Sequence, residues 1–227
     1  LQISNNATTP NTLLDIGSGV TIDSTDTFQM INNGTIVINA ATNGLNGLDT
    51  GTFAAAKVYA VYLVSDPISL QPIGAMLSLS LTAPLMPFGY SAFRIIGYAT
   101  TAAGAATFLK GHWTTGNSGM RLFMYDAPLA TAITAGASTS YAAVNLIAAV
   151  PNLNNVPVLV NSVFTPTAAG SALNLQPGNG AAGGSSATVL GQVAAVVVNS
   201  VSLVLAQTVV ISTVASPVVN YKVVGAV

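Results

Sequence analysis

The chain contains no cysteine and no glutamate, and only 5% of its 227 residues are charged, against about 25% in ordinary soluble domains. Without cysteine there are no disulfides and no thiolate metal sites, and cysteine usage says nothing of redox compartment. The acids are all aspartates (Asp15, Asp23, Asp26, Asp49, Asp66 and Asp126), and the bases are Lys57, Lys110, Lys222, Arg94 and Arg121. With a net charge of −1 there is no basic patch to hold phosphates, so nucleic acid is not expected as a partner. Between residues 127 and 221 there is no Asp, Lys or Arg at all. A free monomer is normally kept apart from its copies by mixed surface charge. A neutral surface of Ser, Thr, Asn, Gly and Ala stays hydrated but lacks that repulsion. Much of this stretch is therefore expected to face sister subunits or neighbouring proteins.

Catalytic groups are equally scarce. His112 is the only histidine, and metal centres need several converging ligands. No Gly-x-Ser-x-Gly elbow is present to set up a nucleophilic serine, and no glycine-rich phosphate loop follows a strand and opens a helix. Gly44, Gly47 and Gly51 lie in a loop that leads into a strand, the wrong context for phosphate. A glycosidase needs two opposed carboxylates. Asp15, Asp23 and Asp26 instead sit near expected hairpin turns, where Asp bonds its own backbone. The same three could offer hard oxygen ligands to calcium, but the spacing Asp23-x-x-Asp26 is not that of an EF-hand loop. The expectation is a protein that is not an enzyme, with no catalytic, cofactor-binding or metal residue.

What the chain has is strand chemistry. Half of it is apolar, and Val, Thr, Asn and Gly dominate, residues that favour strands by branching at Cβ and turns by tolerating positive φ. Residues 58–64 (Val-Tyr-Ala-Val-Tyr-Leu-Val) predict a strand with Tyr59, Val61 and Leu63 on one face. Residues 75–81 alternate, with Leu77, Leu79 and Leu81 expected inward and Ser78 and Ser80 outward. Asn32-Asn33-Gly34 between residues 28–31 and 35–39 predicts a hairpin, and Asp66-Pro67 predicts a turn. Further strands are expected at 12–16, 20–22, 93–100, 107–113, 121–125, 140–147, 156–164, 171–175, 188–198, 200–211 and 218–224. The most apolar segment, 187–211, is interrupted by Gln192, Asn199, Ser200, Ser202 and Gln207, and its longest unbroken apolar run is 193–198. A spanning helix wants about 20 mostly apolar residues, so two buried strands are expected and no membrane insertion. The first ten residues are polar, without the basic start and apolar core of a secretory leader. Six aromatics, Phe88, Tyr90, Phe93, Tyr98, Phe108 and Trp113, could stack on sugars, but their spacing in alternating strands favours core and interface positions.

The texture changes after Gly116 to Gly119. The fold is expected to be all-β, with two consecutive β modules at 1–115 and 116–227. The ten-residue spacing of turn signals in the second suggests a jelly-roll-like β-sandwich.

One ordered set of motifs goes further. Asn43-Gly44-Leu45-Asn46-Gly47-Leu48-Asp49-Thr50-Gly51 precedes the Tyr-containing strand 58–64. Leu77-Ser78-Leu79-Ser80 and then Ala83-Pro84-Leu85-Met86-Pro87-Phe88-Gly89-Tyr90 follow, and Arg94-Ile95-Ile96-Gly97-Tyr98 closes the series. This order resembles a module of tail-fibre-like and other virion appendage proteins of tailed bacteriophages, over about residues 22–113. Physically, Gly47 and Gly51 permit tight turns, Asp49 can cap the loop, Pro84 and Pro87 stiffen a crossing, and Gly89 takes a backbone conformation closed to other residues. The second half is similar to the β-sandwich that follows this module in some of these proteins. Phe88 and Phe93 depart from the more polar residues expected there, which suggests a surface buried against a partner. The resemblance implies a virion location, a homotrimer, contacts with other virion proteins and a structural role. Two placements compete: a tail fibre that attaches to host surface glycan through loops such as 178–186, and a head-decoration or head-fibre protein that stabilises the capsid. An adhesin or a polysaccharide-degrading protein is the alternative from another class.

Overall fold

The computed structural model describes residues 1–68, 71–115, 121–126, 142–145, 157–164, 172–177, 187–189, 203–211 and 218–224. Among them every regular element is a strand, every strand pair is antiparallel, and there is no helix. The fold is all-β. The chain divides into two units, Leu1–Pro128 and Leu129–Val227.

Among the described residues the first unit holds ten strands: β1 (Ile3–Asn5), β2 (Leu13–Ile16), β3 (Gly19–Ile22), β4 (Gln29–Asn32), β5 (Ile36–Asn39), β6 (Val58–Ser65), β7 (Gly74–Ser78), β8 (Ala92–Thr100), β9 (Gly111–Thr115) and β10 (Arg121–Tyr125). They pair as β1-β2-β5, β3-β4, β7-β6-β8 and β9-β10. Strand β10 was expected to open the second module. It pairs along its full length with β9, Arg121 opposite Thr115 and Tyr125 opposite Gly111, so this hairpin keeps it with the first unit.

Strand β6 organises the unit because it is buried on both faces. Tyr59, Val61 and Leu63 enter one core, with Ile3, Leu14, Ile16, Met30, Ile38, Leu48, Leu77 and Phe108. The alternation expected for them holds. Ala60, Tyr62 and Val64 point the other way into a second core with Met76. A strand covered on both sides reads as a continuous apolar run, as 58–64 does. Its neighbour β8 carries a bulge: Val61 faces Gly97 but Tyr62 faces Ile95, which leaves Ile96 as the extra residue. A bulge resets the alternation of side chains. Phe93 and Ile95 before it and Tyr98 after it thereby reach the second core, while Ile96 turns to the first.

Two sequence expectations fail locally. Asn32-Asn33-Gly34 does not close a hairpin, because β4 pairs with β3 and β5 pairs with β2. The cause is the Asn32 side chain. It is buried and donates to the Gly17 carbonyl at 3.0 Å and the Gly34 carbonyl at 2.8 Å. It thus ties the end of β4 to the chain between β2 and β3 and directs the following residues into another sheet. The expected alternation of 75–81 also stops early. Leu79 is 53% exposed whereas Ser78 is 1% exposed. The Ser78 hydroxyl donates to Asp49 at 2.6 Å and accepts from the Ser80 amide at 2.9 Å, which bends the chain out of the strand.

The second unit contains β11 (Ala142–Asn145), β12 (Pro157–Phe164), β13 (Ala172–Pro177), β14 (Ala187–Val189), β15 (Leu203–Ile211) and β16 (Val218–Val224). They form a sheet of order β11-β16-β13-β14 and a pair β12-β15, whose register shifts between Val160 and Ser162 because β15 carries an extra residue between Leu205 and Thr208. The apolar stretch 187–211 contributes strands β14 and β15, and residues 190–202 lie outside the described residues. Among the described residues no helix is long and apolar enough to cross a membrane.

Candidate functional site

The aspartates are where chemistry would have to reside, and Asp15, Asp23, Asp26, Asp49 and Asp66 each hold a segment of chain. Asp15 lies on β2 rather than in a turn, and its Oδ1 accepts from Asn6 Nδ2 at 2.9 Å. Asp23 and Asp26 occupy the turn that closes the β3–β4 hairpin, where Asp23 bonds its own backbone as expected. Its Oδ1 accepts from the amides of Thr27 at 2.8 Å and Phe28 at 2.9 Å, and its Oδ2 from the Thr25 hydroxyl at 2.6 Å. Asp26 takes a left-handed φ of 58°, a conformation that Asp tolerates better than most residues. Arg94 on β8 reaches this turn, with Nη1 3.1 Å from Asp26 Oδ1 and 3.0 Å from the Asp23 carbonyl. The pair is largely exposed, and exposed pairs contribute about 0–1 kcal/mol. It positions the turn more than it stabilises the fold. Nothing local in the sequence joins residue 94 to residue 26. Asp66 Oδ1 accepts from Ser91 Oγ at 3.1 Å and from the Ile68 amide at 3.3 Å, which is the turn expected at Asp66-Pro67.

Three donors focused on Asp23, first the Thr25 hydroxyl and then the Phe28 amide, outweigh its desolvation and hold its carboxyl down at about 2. A depressed folded-state pKa stabilises the fold above the ordinary aspartate value of about 3.9, and that contribution is lost as pH falls through the lower folded value. Asp23→Asn is therefore expected to melt below the native chain at neutral pH, with the gap closing between about pH 4 and pH 2. Thermal melts across that window check it, and a gap constant down to pH 2 would refute the assignment.

Among the described residues no three His or Asp side chains gather to hold a metal ion. His112 lies on β9 with its backbone opposite Met124. A depression lined by Ile3, Asn5, Leu14, Tyr98, Thr100 and Phe108 has a volume of only about 10 Å³, room for roughly one water. Burial pushes the Tyr62 hydroxyl up to about 12, with Tyr98 and Asp49 adding to the effect. It stays protonated and donates to the Ser80 carbonyl at 2.9 Å. Of the six aromatics, Phe108 is buried, with its ring 4.7 Å from that of Phe53. Phe93 packs edge-on to Tyr62 at 5.8 Å, and Tyr90 and Tyr98 lie against the second core. Phe93 is thus covered within the unit, whereas Phe88 is fully exposed. Residues 178–186, the loop considered for glycan contact, lie outside the described residues.

No family model, curated protein or solved structure matches this chain. Of the motif segments, 43–51 and 84–90 form a closure for the β7-β6-β8 sheet. Segment 43–51 seals the open edge of β7. The Asn46 amide donates to the Ala75 carbonyl at 2.9 Å, Leu77 N to the Gly47 carbonyl at 2.9 Å, and Asp49 N to the Leu77 carbonyl at 2.8 Å. Leu48 drops into the first core. Gly47 has no room for a side chain, since a Cβ there would run into the Thr42 carbonyl, and Gly51 takes a positive φ of 81°. Asp49 was expected to cap its own loop. It reaches further, accepting from Ser78 Oγ at 2.6 Å and from the Leu85 amide at 3.0 Å. Segment 84–90 then covers the outer face of the sheet. Met86 and Tyr90 pack on the second core, and the Tyr90 hydroxyl donates to the Pro72 carbonyl at 2.8 Å. Gly89 sits at a φ of 83°.

The apolar side chains left uncovered form the other feature of this unit. On the β3–β4 ribbon Val20 and Ile31 are cross-strand partners, and both are about half exposed together with Ile22. Leu79, Leu85 and Phe88 are exposed after β7.

Proposed function

We propose that the chain is a structural protein of a tailed-phage virion, a tail-fibre-like appendage that takes part in host attachment and works through contacts rather than turnover. The observation that carries this reading is the β3–β4 ribbon, which leaves Val20, Ile22 and Ile31 exposed on one face in a chain only 5% charged. Exposed apolar patches rimmed by polar residues mark surfaces that a partner covers. The order of motif segments supports the same reading: each has a place in closing one sheet, as expected of a reused building block. In this reading the chain assembles as a homotrimer with other virion proteins, its second unit is a jelly-roll-like sandwich, and host surface glycan is its external ligand.

Two measurements test it. In light scattering the purified chain is expected as an oligomer, with Ile31→Ser plus Phe88→Ser shifting it towards monomer while the unfolding free energy changes by no more than about 0.5 kcal/mol. A monodisperse native monomer would overturn the assembly. Antibodies against the chain are expected to label the tail appendages of purified virions and to block adsorption. Label on the capsid selects head decoration instead, and virions without label refute the reading.

A further inference from the structure

Three Asn-Gly pairs occur among the described residues, and their surroundings differ sharply. Asn-Gly is the pair in which the following amide nitrogen most easily reaches the asparagine side chain, because glycine has no Cβ to obstruct it or to restrict its backbone. Asn43-Gly44 is held from both ends: Asn43 Nδ2 donates to the Gly51 carbonyl at 3.0 Å, and the Gly44 amide to the Leu48 carbonyl at 2.7 Å. Asn46-Gly47 is held as firmly. Asn46 Oδ1 accepts from the Ala75 amide at 3.0 Å, the Gly47 amide donates to the Gly44 carbonyl at 3.0 Å, and Gly47 is buried. Asn33-Gly34, between β4 and β5, is different. Both residues are exposed, the Asn33 side chain has no hydrogen-bond partner among the described residues, and the Gly34 amide makes only a long 3.3 Å contact to Asn32 Oδ1. A Cβ at Gly34 would meet nothing within 4 Å, so the space needed for a ring is open.

We propose that Asn33 is a site of spontaneous deamidation, and that the fold protects Asn43 and Asn46 from the same reaction. The Gly34 backbone nitrogen, having lost its proton to solvent, attacks Asn33 Cγ. The new N–Cγ bond closes a succinimide ring and the side-chain nitrogen leaves, taking up protons as ammonia. Water then adds to one of the two ring carbonyls and opens the ring to aspartate or isoaspartate. The net change is one water consumed and one ammonia released, with no oxidation or reduction. In a chain with six acids and a net charge of −1, the product adds a further negative charge. The isoaspartyl form also inserts a backbone methylene beside Asn32, whose side chain ties β4 to Gly17.

The test is peptide mapping by mass spectrometry of the full chain aged in mildly alkaline buffer, with isoaspartate labelling as a second readout. In the native state Asn33 is expected to convert about tenfold or more faster than Asn43 or Asn46, because those two must first break hydrogen bonds by local opening. In denaturant all three are expected to convert at similar rates, since each precedes glycine. Gly34→Ala is expected to slow conversion at Asn33 by a similar factor without moving the melting temperature. Native-state conversion of Asn43 or Asn46 as fast as Asn33 would overturn the proposal. So would an Asn33 that stays intact in the native chain while converting in denaturant.

Discussion

Tyr59→Ala is expected to lower the stability of the first unit by about 3–5 kcal/mol, the cost of emptying a buried aromatic site that the surroundings cannot refill. Tyr59 is 2% exposed in the middle of the central sheet. Its ring lies 5.7 Å from that of Phe53, and its hydroxyl accepts from the Ala54 amide at 3.0 Å. Tyr59→Phe keeps the ring and loses only that bond, so it is expected to cost about 0.5–1.5 kcal/mol. Trp113 is the chain's single tryptophan and lies on β9 of this unit, so its fluorescence through a guanidinium titration reads this unit specifically. Leu79→Ala serves as the contrast. Leu79 is exposed despite sitting in an alternating run, and its truncation is expected to stay within about 0.5 kcal/mol. If Leu79→Ala cost as much as Tyr59→Ala, the strand would continue past Ser78 and the placement of the first core would be wrong.

That contrast shows what strand periodicity reports. Alternation is a property of a strand with one face in the core, and it placed Tyr59, Val61 and Leu63 together because nothing interrupts β6. It could not show that Ala60, Tyr62 and Val64 are equally buried, since burial on both faces removes the alternation altogether. Where a side chain captures a distant backbone group, local pattern misleads. Asn32 binds the Gly17 carbonyl 15 residues away, and Ser78 binds Asp49 at a separation of 29. Each ends a local pattern for a reason that only the folded chain supplies. The turn role of Asp23 was legible, because its partners at Thr25, Thr27 and Phe28 are close in sequence. The link from Arg94 to Asp26 was not, because it is set by the packing of β8 beside the β3–β4 hairpin.

The Asn-Gly-Leu-Asp-Thr-Gly segment gives the sharpest test of whether the motif is a closure for the sheet or a loop that merely happens to lie there. Asp49→Ala removes acceptors from the Ser78 hydroxyl and the Leu85 amide at once. A hydrogen bond to a charged group contributes about 1.5–3 kcal/mol net, and water screens the half-buried Asp49, so the expected loss lies in that range for the two together. Ser78→Ala alone is expected to cost about 1 kcal/mol, because the Asp49 carboxylate keeps the Leu85 amide and gains water. In the double variant the buried Ser78 hydroxyl is no longer stranded by the missing carboxylate. The double variant's loss should then fall short of the sum of the two single losses by about 0.5–3 kcal/mol, the coupling that direct partners show. Additive losses in the Trp113-monitored titration would mean that Asp49 does not hold Ser78 and the 84–90 segment in place. Release of that segment uncovers Tyr62 and Met76 on the outer face of the sheet, so Asp49→Ala is also expected to aggregate through the second core.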